Sequence, residues 1–301
     1  MEKHVSAGFW LSPQQEQVWL LQEAGSLPYR AVCAIQFEGA ISEDALRGAV
    51  NEVITRHEIL RTVFRRQPGM KVPFQLIHEA GQVGWQNLDL GDLETNQQSV
   101  KLQEILSAER NVKFDFENGP VLRLTCVKLA PNRFATILNV PAMCADGASI
   151  RNLAVDLVDG LSHQASADEP IRYVQFAQWQ KELLEANDEQ GNKGKEFWQK
   201  HLANSLAVVP LPLENKAIED GFEPEAFPVH LSQAAFAQIG AVAEKLKASA
   251  ADVLLAAWQS LLWRVSGQTR PVVYTLFPGR DYEELQGALG LFGRADQHRS
   301  H

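Results

Sequence analysis

The chain has 301 residues, with 28 Lys plus Arg against 37 Asp plus Glu, for a formal net charge of −9. That acidity excludes the basic surface needed for non-specific nucleic-acid binding, so no nucleic acid is expected as a partner. Cys33, Cys126 and Cys144 show no CxxC or Cys/His metal spacing, and neither a signal peptide nor an apolar run long enough for a membrane is present, so no metal site, no membrane and a cytoplasmic location are expected.

Helix and strand signals alternate along the chain. Ser12-Pro13-Gln14-Gln15 is a helix start, with Ser as N-cap, Pro at the first helical position and Gln three residues after the cap. The helix is expected to run to about Glu23. Ala31 to Phe37 reads as a strand ending at Gly39. Ser42 caps a second helix, with Leu46, Ala49, Val50, Val53, Ile54 and His57 on one face. Arg61 to Arg66 and Val72 to His78 read as strands around the Gln67-Pro68-Gly69 turn.

Gln98 to Asn111 reads as a helix, and Val121 to Leu129 and Phe134 to Val140 as strands. A tight Asp146-Gly147 turn then feeds a helix with an Ile150, Leu153, Ala154, Leu157, Val158 stripe. Gly147 is expected to serve a positive φ or a close packing contact. The polar stretch from Ala186 to Lys195 reads as a boundary loop. The domain expectation is an N-terminal lobe over 1–180, a linker over 181–195 and a partial C-terminal lobe over 196–301.

Beyond the linker, Pro228 to Leu231 reads as a short strand and Ser232 as a helix start. Ser249-x-x-Asp252 caps a helix carrying Leu254, Leu255, Trp258, Leu261 and Leu262. Val272 to Phe277 is an apolar strand. The tail from Arg294 to His301 shows no strand pattern.

No phosphate-cradling GxxxxGK[ST] or GxGxxG and no nucleophile-elbow GxSxG occurs. The spacing of Gly287, Gly290 and Gly293 lacks a strand-then-helix context and reads as a packing or turn feature. His57-Glu58 is not followed by a zinc-spaced histidine. Cys144 has no sequence partner that would activate it.

Five landmarks in order resemble the condensation domains of nonribosomal peptide synthetases. They are Leu11-Ser12-Pro13-Gln14-Gln15-Glu16-Gln17-Val18-Trp19-Leu20-Leu21; Phe37-Glu38-Gly39 through Arg56-His57-Glu58-Ile59-Leu60-Arg61-Thr62-Val63-Phe64; and Phe114-Asp115-Phe116-Glu117-Asn118-Gly119-Pro120-Val121-Leu122-Arg123. The fourth is Tyr173-Val174-Gln175-Phe176-Ala177-Gln178-Trp179-Gln180 followed by Phe197-Trp198. The fifth is Gly279-Arg280 through Glu284-Leu285, then Gly290-Leu291-Phe292-Gly293.

The resemblance implies an α/β fold like chloramphenicol acetyltransferase: two α+β sandwich lobes with a tunnel between them. It implies amide (peptide) bond formation between an acyl or peptidyl thioester and an amino acid. Both ride on phosphopantetheine arms of carrier proteins, with no cofactor bound directly. Carrier proteins and neighbouring synthetase domains are the implied partners.

The family signature is two histidines, three variable residues, then Asp-Gly. The matching loop reads Pro141-Ala142-Met143-Cys144-Ala145-Asp146-Gly147, so Pro141 and Ala142 hold the histidine positions. A methyl group at 142 neither accepts a proton nor holds an amine. Loss of a positioned acid–base group costs roughly 10²–10⁴ in rate. The resemblance pairs Asp146 with Arg280 as a salt bridge. Arg61 is expected to orient the loop bearing Asp146, and His57 to be a helix-end histidine facing its dipole.

After Gly293 the resemblance implies further strands, so the second lobe is expected to be incomplete and the Val272 to Phe277 strand to present an unpaired edge or a bare apolar face. The functional expectation is a condensation-domain chain with impaired chemistry. A non-catalytic platform that docks carrier proteins or tailoring enzymes is the alternative. A third reading, acyl transfer from soluble CoA thioesters, lacks the base it requires at 141 or 142.

Overall fold

The computed structural model describes residues 8–24, 29–39, 41–162, 164, 169–186, 189–202, 227–268 and 271–299. They fall into two compact units. The first comprises residues up to Ala186 together with Pro278–Arg294, and the second Asn187–Phe277 with the residues from Ala295 onward.

In the first unit, helix α1 (Pro13–Ala24) begins at the expected cap. Ser12 Oγ accepts from Gln15 N at 3.1 Å, and Gln15 Oε1 accepts from Ser12 N at 3.0 Å. Strand β1 (Arg30–Glu38) leads to helix α2 (Glu43–Arg56), where Ser42 Oγ caps Ala45 N. Leu46, Ala49, Val50, Val53 and Ile54 are buried on one face of α2, as the spacing predicts. Strands β2 (Thr62–Arg65) and β3 (Phe74–Ile77) form an antiparallel pair.

Strand β4 (Val83–Asp89) has no counterpart among the sequence expectations. Helix α3 (Thr95–Glu109) starts three residues earlier than expected, with Glu94 and Gln97 forming its capping box. Strands β5 (Leu122–Ala130) and β6 (Arg133–Pro141) follow as an antiparallel pair. Helix α4 (Gly147–Leu161) and helix α5 (Tyr173–Glu185) complete the regular elements before residue 186.

The main sheet runs β1-β6-β5-β4. β4 joins β5 in parallel, and the other pairs are antiparallel. Register places Cys33, Leu138, Leu124 and Trp85 in one row, with Ile35, Thr136, Cys126 and Asn87 in the next. These rows belong to the face that packs on α2 and α4, where the main core lies. The opposite face carries Val127, Leu129 and Ala135 against Leu102 and Ile105 of α3.

The structure corrects several expectations. Gly147 has no positive φ, and a Cβ built on it meets nothing within 4 Å; it simply opens α4 behind the Asp146 cap. Val158 is 39% exposed, because it falls at the margin of the α4 stripe. Most of the polar stretch expected as a linker is helical, in α6 (Glu189–Leu202), where polar and charged residues suit an exposed helix; Asn187 and Asp188 lie outside the described residues. Pro278–Arg294, placed by sequence in the second lobe, packs with the first unit.

In the second unit, α7 (Gln233–Leu246) starts at the Ser232 cap, and α8 (Ala250–Ser266) at the Ser249–Asp252 capping box. Residues 228–231 are not a strand. Their apolar side chains are largely exposed, Val229 at 77%, so no sheet neighbour selects an extended ladder. The α8 stripe forms as a pattern, yet Leu254, Trp258 and Leu261 are exposed.

Strand β7 (Val272–Phe277) has one edge paired, while Tyr274 and Leu276 on it are 64% and 78% exposed, the bare apolar face that was the alternative expectation. It hydrogen-bonds to β8 (Arg294–Arg299), in the tail expected to have no strand. Main-chain pairing needs only N–H and C=O groups, so a polar sequence supplies a strand when a partner edge is at hand. Ser300 and His301 lie outside the described residues.

Candidate functional site

The candidate site is the turn between the last residue of β6, Pro141, and the first of α4, Gly147. β6 is a buried strand, with residues 135–141 all buried, so it delivers the loop into the interior. Two main-chain bonds close the loop on itself: Cys144 N and Ala145 N both donate to Pro141 O, at 2.8 and 3.2 Å. Ala142 N donates to Tyr29 O at 2.9 Å, and Gln15 Nε2 donates to Met143 O at 2.8 Å.

Asp146 is the hub. Its Oδ1 caps α4 by accepting from Ser149 N at 2.8 Å. Its Oδ2 accepts from Arg280 Nη1 at 2.7 Å and from the main-chain N–H groups of Phe292 and Gly293, both at 3.0 Å. Arg280 Nη2 donates to Ser149 Oγ at 2.7 Å, and its guanidinium lies 4.3 Å from the Phe292 ring centroid. Burial alone pushes the Asp146 carboxyl upward. The hydrogen bond and charge of Arg280 and the two bonds from Ser149 outweigh burial and hold it below the usual carboxylate range.

The segment that supplies Phe292 and Gly293 is shaped by Gly290, whose φ is +156°. A Cβ there would stand 1.9 Å from Tyr173 Cδ2, so only glycine fits. Gly290 N donates to Ser149 Oγ at 3.0 Å, and Tyr173 Oη donates to Leu291 O at 2.7 Å. Ser12 Oγ meets the same phenol at 2.7 Å, joining the start of α1 to the site.

Chemically, this arrangement locks a loop in place and leaves it without a free base. Pro141 and Ala142 carry no ionisable group. The Asp146 oxygens are engaged by Ser149, Arg280, Phe292 and Gly293. Cys144 is fully buried, and burial pushes its thiol far up, so no thiolate nucleophile is available. Among the described residues, no group of three His, Cys, Asp or Glu is arranged to hold a metal ion, and no helix is long and apolar enough to cross a membrane.

The sequence-derived residues divide. Asp146 and Arg280 meet as expected. Arg61 does not reach the loop: its Nη1 donates to His78 O at 2.6 Å and its Nη2 to Glu58 at 3.4 Å. It ties the end of β3 to the turn after α2, because His78 O and the Glu58 carboxylate already take up its guanidinium. His57 does end α2, but its Nε2 faces Asp156 of α4 at 2.6 Å, a carboxylate that helix packing brings across. Ser149, Gly290 and Tyr173 were not assigned to the site from sequence. Ser149 was legible as the third residue after an Asp cap, whereas the other two depend on long-range packing.

Compared with known proteins, residues 6–293 match the family model for the condensation domain. The fold is of the α/β class expected from the resemblance. The chain belongs to the condensation domain family. It is 28% identical over 285 residues to tyrocidine synthase 2 of Brevibacillus parabrevis, covering 94% of this chain and 8% of that protein. To gramicidin S synthase 2 of Aneurinibacillus migulanus it is 26% identical over 292 residues, covering 94% of this chain and 6% of that protein. The chain thus spans only a small part of the length of the synthetases it matches.

Among solved structures, the first condensation domain of the calcium-dependent antibiotic synthetase, in complex with a substrate analogue, gives a TM-score of 0.80 at 17% identity. That match covers 98% of this chain and 70% of the other. The X-domain in its complex with OxyB from teicoplanin biosynthesis gives 0.75 at 22% identity, covering 99% and 66%.

Proposed function

We propose that this chain is a condensation domain of nonribosomal peptide synthetase type whose amide-forming chemistry is impaired. Its substrates are thioesters on phosphopantetheine arms of carrier proteins, it binds no cofactor of its own, and it works in the cytoplasm beside other synthetase domains. One observation carries this reading. The Asp146–Arg280 lock is intact at 2.7 Å, while the positions that the family resemblance gives to histidines are Pro141 and Ala142. Proximity of two tethered reactants accelerates on its own, so residual turnover accompanies the loss of the base.

The test is single-turnover amide formation between two carrier-bound aminoacyl thioesters, with wild type and Ala142→His. A rise of roughly 10²–10⁴-fold in the variant supports the reading. A wild-type rate already equal to that of the variant overturns it.

A second reading, a non-catalytic docking platform, is favoured by the likeness to the X-domain, a domain of this fold seen in complex with another protein. Pull-down of a holo-carrier protein or a tailoring enzyme without turnover in either variant supports the platform.

A further inference from the structure

Away from the loop, three aromatic rings and one carboxylate share an open pocket of about 410 Å³ in the first unit. Phe176 and Trp179 come from α5, and Tyr282 and Glu284 from the segment around a short 3-10 turn, Glu283–Leu285; Ile171 and Leu285 complete the apolar wall. The Trp179 and Tyr282 rings lie 5.9 Å apart at 89°, and Phe176 lies 6.0 Å from Trp179 at 39°. Rings at such different angles line a single space. Trp179 and Tyr282 are 43% and 56% exposed, large for aromatic side chains in contact with one another.

The charge of the pocket has one sign. Glu284 lines it with no ion pair among the described residues, and Asp281 and Glu283 beside it in the chain are exposed and likewise unpaired. No Lys or Arg lines the pocket. The neighbouring basic residues are engaged elsewhere: Arg172, next to Ile171 in the chain, pairs with Glu58, and Lys181 of α5 lies 3.8 Å from the Trp10 ring centroid.

These features select a ligand class. An anion meets an uncompensated carboxylate. A bare divalent cation needs six or more oxygen ligands and finds one carboxylate. A neutral apolar group uses the rings and ignores Glu284. An organic cation uses both, because aromatic faces are electronegative and attract alkylated ammonium groups with little desolvation cost. We propose that the Phe176–Trp179–Tyr282–Glu284 pocket is a binding site for a small molecule bearing a quaternary or alkylated ammonium group.

The test titrates the full chain with choline and with its neutral carbon isostere, 3,3-dimethylbutan-1-ol, followed by saturation-transfer NMR. Choline is expected to saturate, and the alcohol to bind roughly tenfold more weakly. Glu284→Gln is expected to weaken choline about three- to tenfold and leave the alcohol unchanged. Tyr282→Ala, at an exposed turn, is expected to weaken both, with circular dichroism confirming the fold. Equal binding of choline and alcohol, an unchanged ratio in Glu284→Gln, or no saturation by choline each overturns the proposal.

Discussion

Arg280 Nη1 and Asp146 Oδ2 meet at 2.7 Å across 134 positions of chain, with side chains only 3% and 12% exposed. The same carboxylate caps α4 and anchors the main chain at 292–293. One side chain thus fixes a helix start, a buried cation and a returning segment. An isolated buried charge is costly, so this pair is valuable for geometry and damaging when only half of it is removed.

Asp146→Ala strands the Arg280 guanidinium. It is expected to lower the unfolding free energy by about 3–5 kcal/mol, read by guanidinium chloride denaturation at pH 7. Adding Arg280→Met in the same chain is expected to recover part of that loss. A cost below about 1 kcal/mol for Asp146→Ala sinks this account of the pair.

Stability is expected to fall with acid. Asp146 is held below its ordinary value as described, and so is Glu109. For Glu109, burial pushes upward but is outweighed by hydrogen bonds from Arg123 and Asn139, the charge of Arg123 and a bond from Thr125. With folded-state values below the unfolded ones, near 3.9 and 4.3, the unfolded chain takes up protons first. Their contribution is complete above the unfolded values and disappears as pH falls through the folded ones. A melting series from pH 7 to pH 3 is expected to show this decline, shallower in Asp146→Asn; an unchanged slope contradicts it.

Two glycines three residues apart are expected to behave oppositely. Gly290→Ala combines a φ of +156° with a Cβ 1.9 Å from Tyr173 Cδ2, and is expected to cost about 2 kcal/mol or more. A Cβ on Gly287 meets nothing within 4 Å, so Gly287→Ala is expected to stay within about 0.5 kcal/mol of wild type. Thermal melts of the two variants side by side decide the matter.

The thiols are expected to be slow in the native protein. Burial pushes Cys33 and Cys126 up to about 11, and Cys144 is wholly inaccessible. At pH 8 the thiolate fraction of the first two is on the order of 10⁻³. Ellman's reagent is expected to show no fast phase until denaturant is added, whereupon three thiols react. A native burst of one thiol contradicts this burial.

Much of this protein is written in short-range pattern. The caps at Ser12, Ser42, Ser232 and Ser249 are read within three residues, because a cap is a local exchange between a side chain and nearby N–H groups. The α2 face was legible from 3.6-residue spacing. The composition of the loop from Pro141 to Gly147 was legible too, since it is a matter of residue identity. β4 was missed because Val83–Asp89 reads Val-Gly-Trp-Gln-Asn-Leu-Asp, half-exposed and weakly alternating, and is a strand only by lying parallel to β5.

Tertiary structure decided what short-range pattern does not encode. It gave Pro278–Arg294 to the first unit, turned His57 toward Asp156, held Arg61 at His78 and paired β8 with β7. Each depends on which distant group arrives, and arrival follows from packing the whole apolar surface at once. The sequence named Asp146 and Arg280 as partners through resemblance. The fold gave the pairing its physical content, by burying both and surrounding the carboxylate with donors from Ser149, Phe292 and Gly293.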